Sequence, residues 1–129
     1  MWRAQLRRAI QLARILLGLI FLVFGVNGFF RFIPVPTFHP FVAILVASGY
    51  IYLIKTIEVA GGLLLLVNRF VPLALLLLGP DIVNILAYHL LLDPRNWPIA
   101  VINLGLFGIV LWGYWPYFKP LLVRKADVR

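Results

Sequence analysis

The chain contains no cysteine, and only four of its 129 residues are acidic. The missing cysteine excludes disulfides, thiolate metal centres and thiol redox chemistry within this polypeptide. Charged residues of both signs make up 12%, about half the usual share in soluble domains. Low-complexity segments, internal repeats and any hydrophilic stretch long enough for a separate soluble domain are also missing, so residues 1–129 read as one domain. There is no glycine-rich phosphate loop either. Gly105, Gly108 and Gly113 fall in an apolar run and read as packing positions.

What is present is mainly hydrocarbon. Hydrophobic residues reach 64% and the mean hydropathy is +1.02, which predicts an integral membrane protein with the lipid bilayer as its first partner. The net charge of +8 does not point to nucleic acid, because the basic residues flank apolar runs and form no stripe with exposed aromatics. Charge placed this way orients helices in a bilayer and meets anionic head groups.

The apolar runs predict an all-α fold, a four-helix transmembrane bundle with spans at about 12–30, 50–67, 71–91 and 97–115. Met1–Gln11 reads as a basic lead-in. A cleaved signal peptide is disfavoured, since the first run ends without a small-x-small cleavage site. Pro34, Pro36 and Pro40 break the chain after the first span. The stretch 41–67 is too long for one span, about 40 Å against a core of about 30 Å. Ser48-Gly49 divides it into a short interfacial or re-entrant helix, 41–47, and the second span. Asn68-Arg69 makes a turn, Pro72 suits the first turn of the third span, and Pro80 kinks that span. Asp93 or Asn96 is expected to cap the fourth span, which closes on Trp112, Tyr114, Trp115 and Tyr117.

Four spans place both termini and the Asn68-Arg69 turn on one side. That side holds Arg3, Arg7, Arg8, Arg14, Arg69, Lys119, Arg124, Lys125 and Arg129, against Arg31 and Arg95 on the other. The positive-inside rule then predicts cytoplasmic termini in the cytoplasmic (inner) membrane.

Glu58 and Asp81 interrupt the second and third spans, with Lys55 one turn from Glu58. An ionisable group in hydrocarbon costs about 2.5–3.5 kcal/mol on insertion scales and needs a partner. Counting rise per residue puts Lys55, Asn84 and Asn103 about 10 Å below the outer surface, and Glu58 and Asp81 about 15 Å below. Asn27 and His89 lie nearer that surface. Lys55, Glu58, Gly61 and Gly62 share one helical stripe, as do Asp81, Asn84 and Tyr88. The expectation is an outward-facing polar pocket of Asn27, Lys55, Glu58, Asp81, Asn84, Tyr88, His89 and Asn103, with Gly61 and Gly62 at a close helix contact. Glu58, Asp81 and Lys55 are the candidates for chemistry. His39, His89 and Asp93 lack metal-ligand spacing, and one histidine within a span does not make a bis-histidine haem site.

At these residues the chain resembles the DoxX family of small four-helix bacterial membrane proteins. The segments that carry the resemblance are Arg14-Ile-Leu-Leu-Gly-Leu-Ile-Phe-Leu-Val-Phe-Gly-Val-Asn27, Lys55-Thr-Ile-Glu58-Val-Ala-Gly61-Gly62, Asn68-Arg69-Phe-Val-Pro72 and Gly79-Pro80-Asp81-Ile-Val-Asn84-Ile-Leu-Ala-Tyr-His89. Asp81 departs from the family's pattern, where an apolar residue is expected. The resemblance implies a subunit of a quinone-linked oxidoreductase or a redox-stress complex, with quinone as ligand, none covalently bound, and a partner subunit or self-association. In that reading Glu58 and Asp81 exchange protons, Lys55 tunes them, and Asn84 or His89 hydrogen-bonds a quinone carbonyl. The competing readings are a non-catalytic scaffold or assembly protein and a small proton- or cation-coupled transporter.

Overall fold

The computed structural model describes residues 1–34 and 39–129, so Pro36 lies outside the described residues. Among the described residues there are five α-helices and no strand: α1 (Trp2–Phe30), α2 (Pro40–Ser48), α3 (Tyr50–Val67), α4 (Val71–Leu91) and α5 (Trp97–Gly113). Two 3₁₀ turns follow, Trp115–Tyr117 and Lys119–Leu122. α1, α3 and α4 are long and apolar enough to cross a membrane, while α5 is a shorter apolar helix of 17 residues.

The helix ends follow local chemistry. The basic lead-in forms the first turns of α1, because Arg, Gln, Ala and Leu are good helix formers and no breaker separates them from the apolar run. α1 stops at Arg31, whose left-handed backbone (φ 52°) turns its N–H onto the Asn27 carbonyl at 2.7 Å. His39 caps α2, its Nδ1 accepting the Phe41 N–H at 3.1 Å, with Pro40 in the first turn. The break between α2 and α3 falls at Gly49, whose φ of 80° suits glycine best. Asn68 (φ 55°) and Phe70 (φ 51°) turn the chain into α4, which starts with Pro72 in its first turn.

Two expectations at α5 are corrected. Neither Asp93 nor Asn96 caps it: Asn96 takes φ 59° with no side-chain cap bond, and Asp93 Oδ1 accepts the Arg95 N–H at 3.1 Å. The helix also ends at Gly113 rather than Trp115. Pro116 has no N–H to continue the ladder, and the chain tightens into the 3₁₀ turn.

α1 packs on α3 and α5, α3 on α4, and α4 on α5, while α2 lies against α3. Glycines set the closest approaches. A methyl on Gly18 would lie 3.0 Å from the Gly62 carbonyl oxygen, and one on Gly25 would lie 3.1 Å from Glu58 Cβ. A methyl on Gly28 would collide with the Lys55 side chain. Rising numbers on α1 meet falling numbers on α3, so the two helices run antiparallel. A methyl on Gly61 would lie 2.6 Å from Leu78 Cγ of α4. Small residues thus let backbones meet where dispersion, rather than exclusion of water, holds helices together. Gly105 and Gly108 correct the packing expectation, since among the described residues neither has an atom within 4 Å of where a Cβ would be, while Gly113 meets Ile10.

The buried core of Leu17, Phe21, Leu65, Leu75, Leu78 and Val110 fills the half nearer the chain ends and the α3–α4 turn. Arg14 is buried among them at 7% exposure. Its Nη1 donates to the Leu65 carbonyl and its Nε to Gln11 Oε1 at 2.8 Å. It thereby gives a second donor to a carbonyl in the last turn of α3 that also accepts the Asn68 N–H at 3.3 Å.

Candidate functional site

The other half of the molecule opens into a cleft of about 1530 Å³. Its walls come from the ends of α1, α3 and α4, from α2, and from the connection between α4 and α5. Aromatic and aliphatic side chains such as Phe24, Phe41, Leu45 and Ile54 make most of the lining, and the polar groups enter from α3 and α4.

Lys55 and Glu58, three residues apart on α3, form an ion pair at 3.0 Å with side-chain exposures of 21% and 6%. Asp81 of α4 lies within electrostatic reach of both. Among the described residues no N–H or hydroxyl donor reaches its buried Oδ2, and its carboxyl stands at hydrogen-bonding range of the Glu58 carboxyl. Two carboxylates and one ammonium therefore meet inside apolar helices, leaving one negative charge over when all three are ionised. Asn84 and His89 line the same cleft, and each has its N–H turned inward. Asn84 Nδ2 donates to the Pro80 carbonyl at 2.9 Å, and His89 Nδ1 donates to the Ile85 carbonyl at 2.8 Å. A carbonyl oxygen only accepts, so these contacts fix the Asn84 amide orientation and place the His89 proton on Nδ1.

Asn27 also borders the cleft, but both ends of its amide are used. Oδ1 accepts the Ile33 N–H at 2.6 Å and Nδ2 donates to the Ile33 carbonyl at 3.2 Å. It acts as a strap that holds the chain leaving α1. Asn103, expected in the pocket, is absent from the lining: it is 4% exposed on α5, and its Oδ1 has no partner among the described residues.

The mouth holds a second group that the sequence reading did not assemble. Asp93 is gripped by Arg95 through Nε at 2.9 Å and Nη2 at 2.7 Å, and the Tyr88 hydroxyl donates to Asp93 Oδ2 at 3.3 Å. The Arg95 guanidinium holds the Asp93 carboxyl well below the usual carboxylate range. The Tyr88 ring meets His89 and His39 edge-on, with centroids 5.2 and 5.9 Å apart, and leans on Phe41 at 6.2 Å. An i, i+2 acid–arginine pair in the Asp93-Pro94-Arg95 turn was the available signal. Among the described residues no three histidine, aspartate or glutamate side chains converge as a metal site requires.

The arrangement offers an apolar chamber that ends on a charged floor. Such a chamber suits a small ligand with a flat or aliphatic body and a polar head. Compared with models of known families, with curated proteins and with solved structures, the chain matches none.

Proposed function

We propose that the chain is an integral membrane protein of DoxX type, a four-helix bundle in which α5 is the fourth span and α2 an interfacial or re-entrant helix. Its proposed role is that of a quinone-binding subunit of an oxidoreductase or redox-stress complex. The observation that carries this reading is the cleft ending on Lys55, Glu58 and Asp81. Ionisable groups at that depth in apolar helices usually serve a ligand, a proton or an ion. The quinone ring would lie against Tyr88 and Phe41, with its oxygens near the floor. Glu58 and Asp81 would take or give the protons that accompany its redox change, and Lys55 would tune them. The electron-transfer partner would be another subunit, since this chain carries no thiol and no evident haem or metal ligand set.

The gathering of α1's start, the α3–α4 turn and α5's end at one pole supports cytoplasmic termini, because most basic residues lie on the first two and on the tail that follows α5. Protein reconstituted in quinone-loaded nanodiscs tests the ligand. Retention of quinone by wild-type protein, and its loss in a folded Glu58→Gln variant, is the expected result. One observation favours a scaffold instead. Lys55 and Glu58 already neutralise each other at the α1–α3 contact. Under that reading Glu58→Gln would lower the melting temperature, and wild-type protein would retain no quinone.

A further inference from the structure

The floor of the cleft carries an imbalance of charge. Glu58 of α3 and Asp81 of α4 stand with their carboxyls at hydrogen-bonding range of each other. Both are withdrawn from water: the Glu58 side chain is 6% exposed, and Asp81 Oδ2 is buried with no N–H or hydroxyl donor among the described residues. Lys55 Nζ, on Glu58 Oε2 at 3.0 Å, is the positive charge that meets them. The neighbouring elements add none at this depth. The α1 stretch against Glu58 and Lys55 runs from Gly25 to Gly28, and neither α2 nor α5 contains an ionisable residue. On α4, His89 stands about 12 Å along the axis from Asp81, with Nδ1 on the Ile85 carbonyl. The remaining charge lies toward the mouth. Exposed Arg31 is about 9 Å along the α1 axis from Gly25, and Asp93 is held by Arg95 and by the Tyr88 hydroxyl.

We propose that Glu58 and Asp81 hold one proton between them, so that the cleft floor is an electrically neutral, one-proton site. Two bare carboxylates at that separation repel, and burial removes the water that would screen them. With one proton shared, the contact between their oxygens becomes a hydrogen bond, and Lys55 matches the single negative charge that is left. The proton belongs to the pair and not to either residue. Access to it is one-sided. Glu58 and Asp81 both line the cleft, while Leu65, Leu75 and Leu78 close the way toward the chain ends. The pair therefore exchanges its proton with whatever occupies the cleft, and this holds whether or not that occupant is a quinone.

The test is infrared spectroscopy of the full chain at pH 7, in ether-linked lipid that has no ester carbonyl. A protonated carboxyl gives a carbonyl stretch that a carboxylate lacks, and it shifts in heavy water. Only four residues are acidic, and of the other two Asp93 is bound to Arg95 and Asp127 is exposed, so the band reports on the pair. The wild-type chain is expected to show it. Glu58→Gln and Asp81→Asn are each expected to lose it, because the one acid left ionises against Lys55. Lys55→Met removes the counter-charge and is expected to about double the band, as the second carboxyl takes up a proton. A wild-type chain without the band overturns the shared proton. So does an acid variant that keeps the band in full, since a proton held by one residue alone needs no pair. Should the acid variants fail to fold, a Lys55→Met band no larger than the wild-type one overturns it. The quinone reading is judged separately by retention in nanodiscs, so either claim can fail without the other.

Discussion

Alanine at position 62 would place a methyl 2.6 Å from the Leu22 amide nitrogen and 2.8 Å from the Gly18 carbonyl oxygen. Both are backbone atoms and cannot rotate away, so α1 and α3 must move apart. Gly62→Ala is expected to lose about 1–3 kcal/mol, read as a lower melting temperature in detergent. Gly105→Ala, with nothing within 4 Å among the described residues, should stay within about 0.5 kcal/mol of wild type. The contrast shows what residue type conveys. Gly61 and Gly62 were legible because they share a stripe with Glu58, which must face inward. Gly105 and Gly108 carried no such anchor, and a small residue does not by itself reveal whether a neighbour is there. At the mouth, Asp93 has its acid strengthened by Arg95. A depressed folded pKa stabilises the fold above the unfolded value, about 3.9, and the contribution fades as pH falls below it. Asp93→Asn should therefore melt lower than wild type at pH 7, and the gap should narrow below about pH 4. A gap that is constant from pH 7 to pH 3 would remove the ion pair as its cause.

Among the helices, α3 depends most on a residue from outside itself. The Leu65 carbonyl in its last turn accepts the Asn68 N–H at 3.3 Å and, as a second donor, the buried Arg14 guanidinium of α1. Arg14→Leu keeps bulk but removes that second donor, at a cost of about 1.5–3 kcal/mol for a hydrogen bond made by a charged group. Amide exchange should quicken at Asn68 and Arg69, whose N–H groups bond Leu65 and Leu64, more than at the start of α3. Uniform quickening would argue against a cap. The sequence reading placed Arg14 among the flanking charges. Its spacing to Leu17, Gly18, Phe21 and Gly25 nevertheless puts it on the buried face of α1, a pattern visible once that face is known. Helix existence and the Gly49 break were legible from hydropathy and from glycine's backbone freedom. The end of α5 was not, because an aromatic belt continues the apolar signal past the residue where Pro116 stops the helix.

For the whole molecule, the absence of cysteine becomes an experimental advantage, since any thiol introduced is the only one. Val123→Cys and Phe32→Cys are both at exposed positions, 58% and 55%, and lie at opposite poles of the proposed bundle. A membrane-impermeant maleimide should label Phe32→Cys in intact cells and Val123→Cys only after permeabilisation; the reverse pattern would invert the proposed topology. Depth alone misplaced Asn103, whereas the convergence of Lys55, Glu58, Asp81 and Asn84 on one cleft was legible from depth and face. The direction of their hydrogen bonds was not. It depends on which backbone carbonyl each side chain reaches, and helical spacing alone does not determine that.

The helices differ in length, and this has a consequence for the surrounding lipid. α1 has 29 residues and α5, packed beside it, has 17. At about 1.5 Å per residue α5 is about 26 Å long, and the apolar part of α1 that follows its basic lead-in about 28 Å, around a hydrocarbon layer of about 30 Å. In a bilayer the extra length of α1 carries Arg3, Arg7 and Arg8 out among the head groups, while lipid beside α5 has to shorten its tails to meet the lower wall. The molecule would then press a one-sided dimple into its membrane along the exposed flank of Gly105 and Gly108. Thin, short-chain lipid would gather on that flank, and bilayer thickness would become a variable to which the stability of the fold responds.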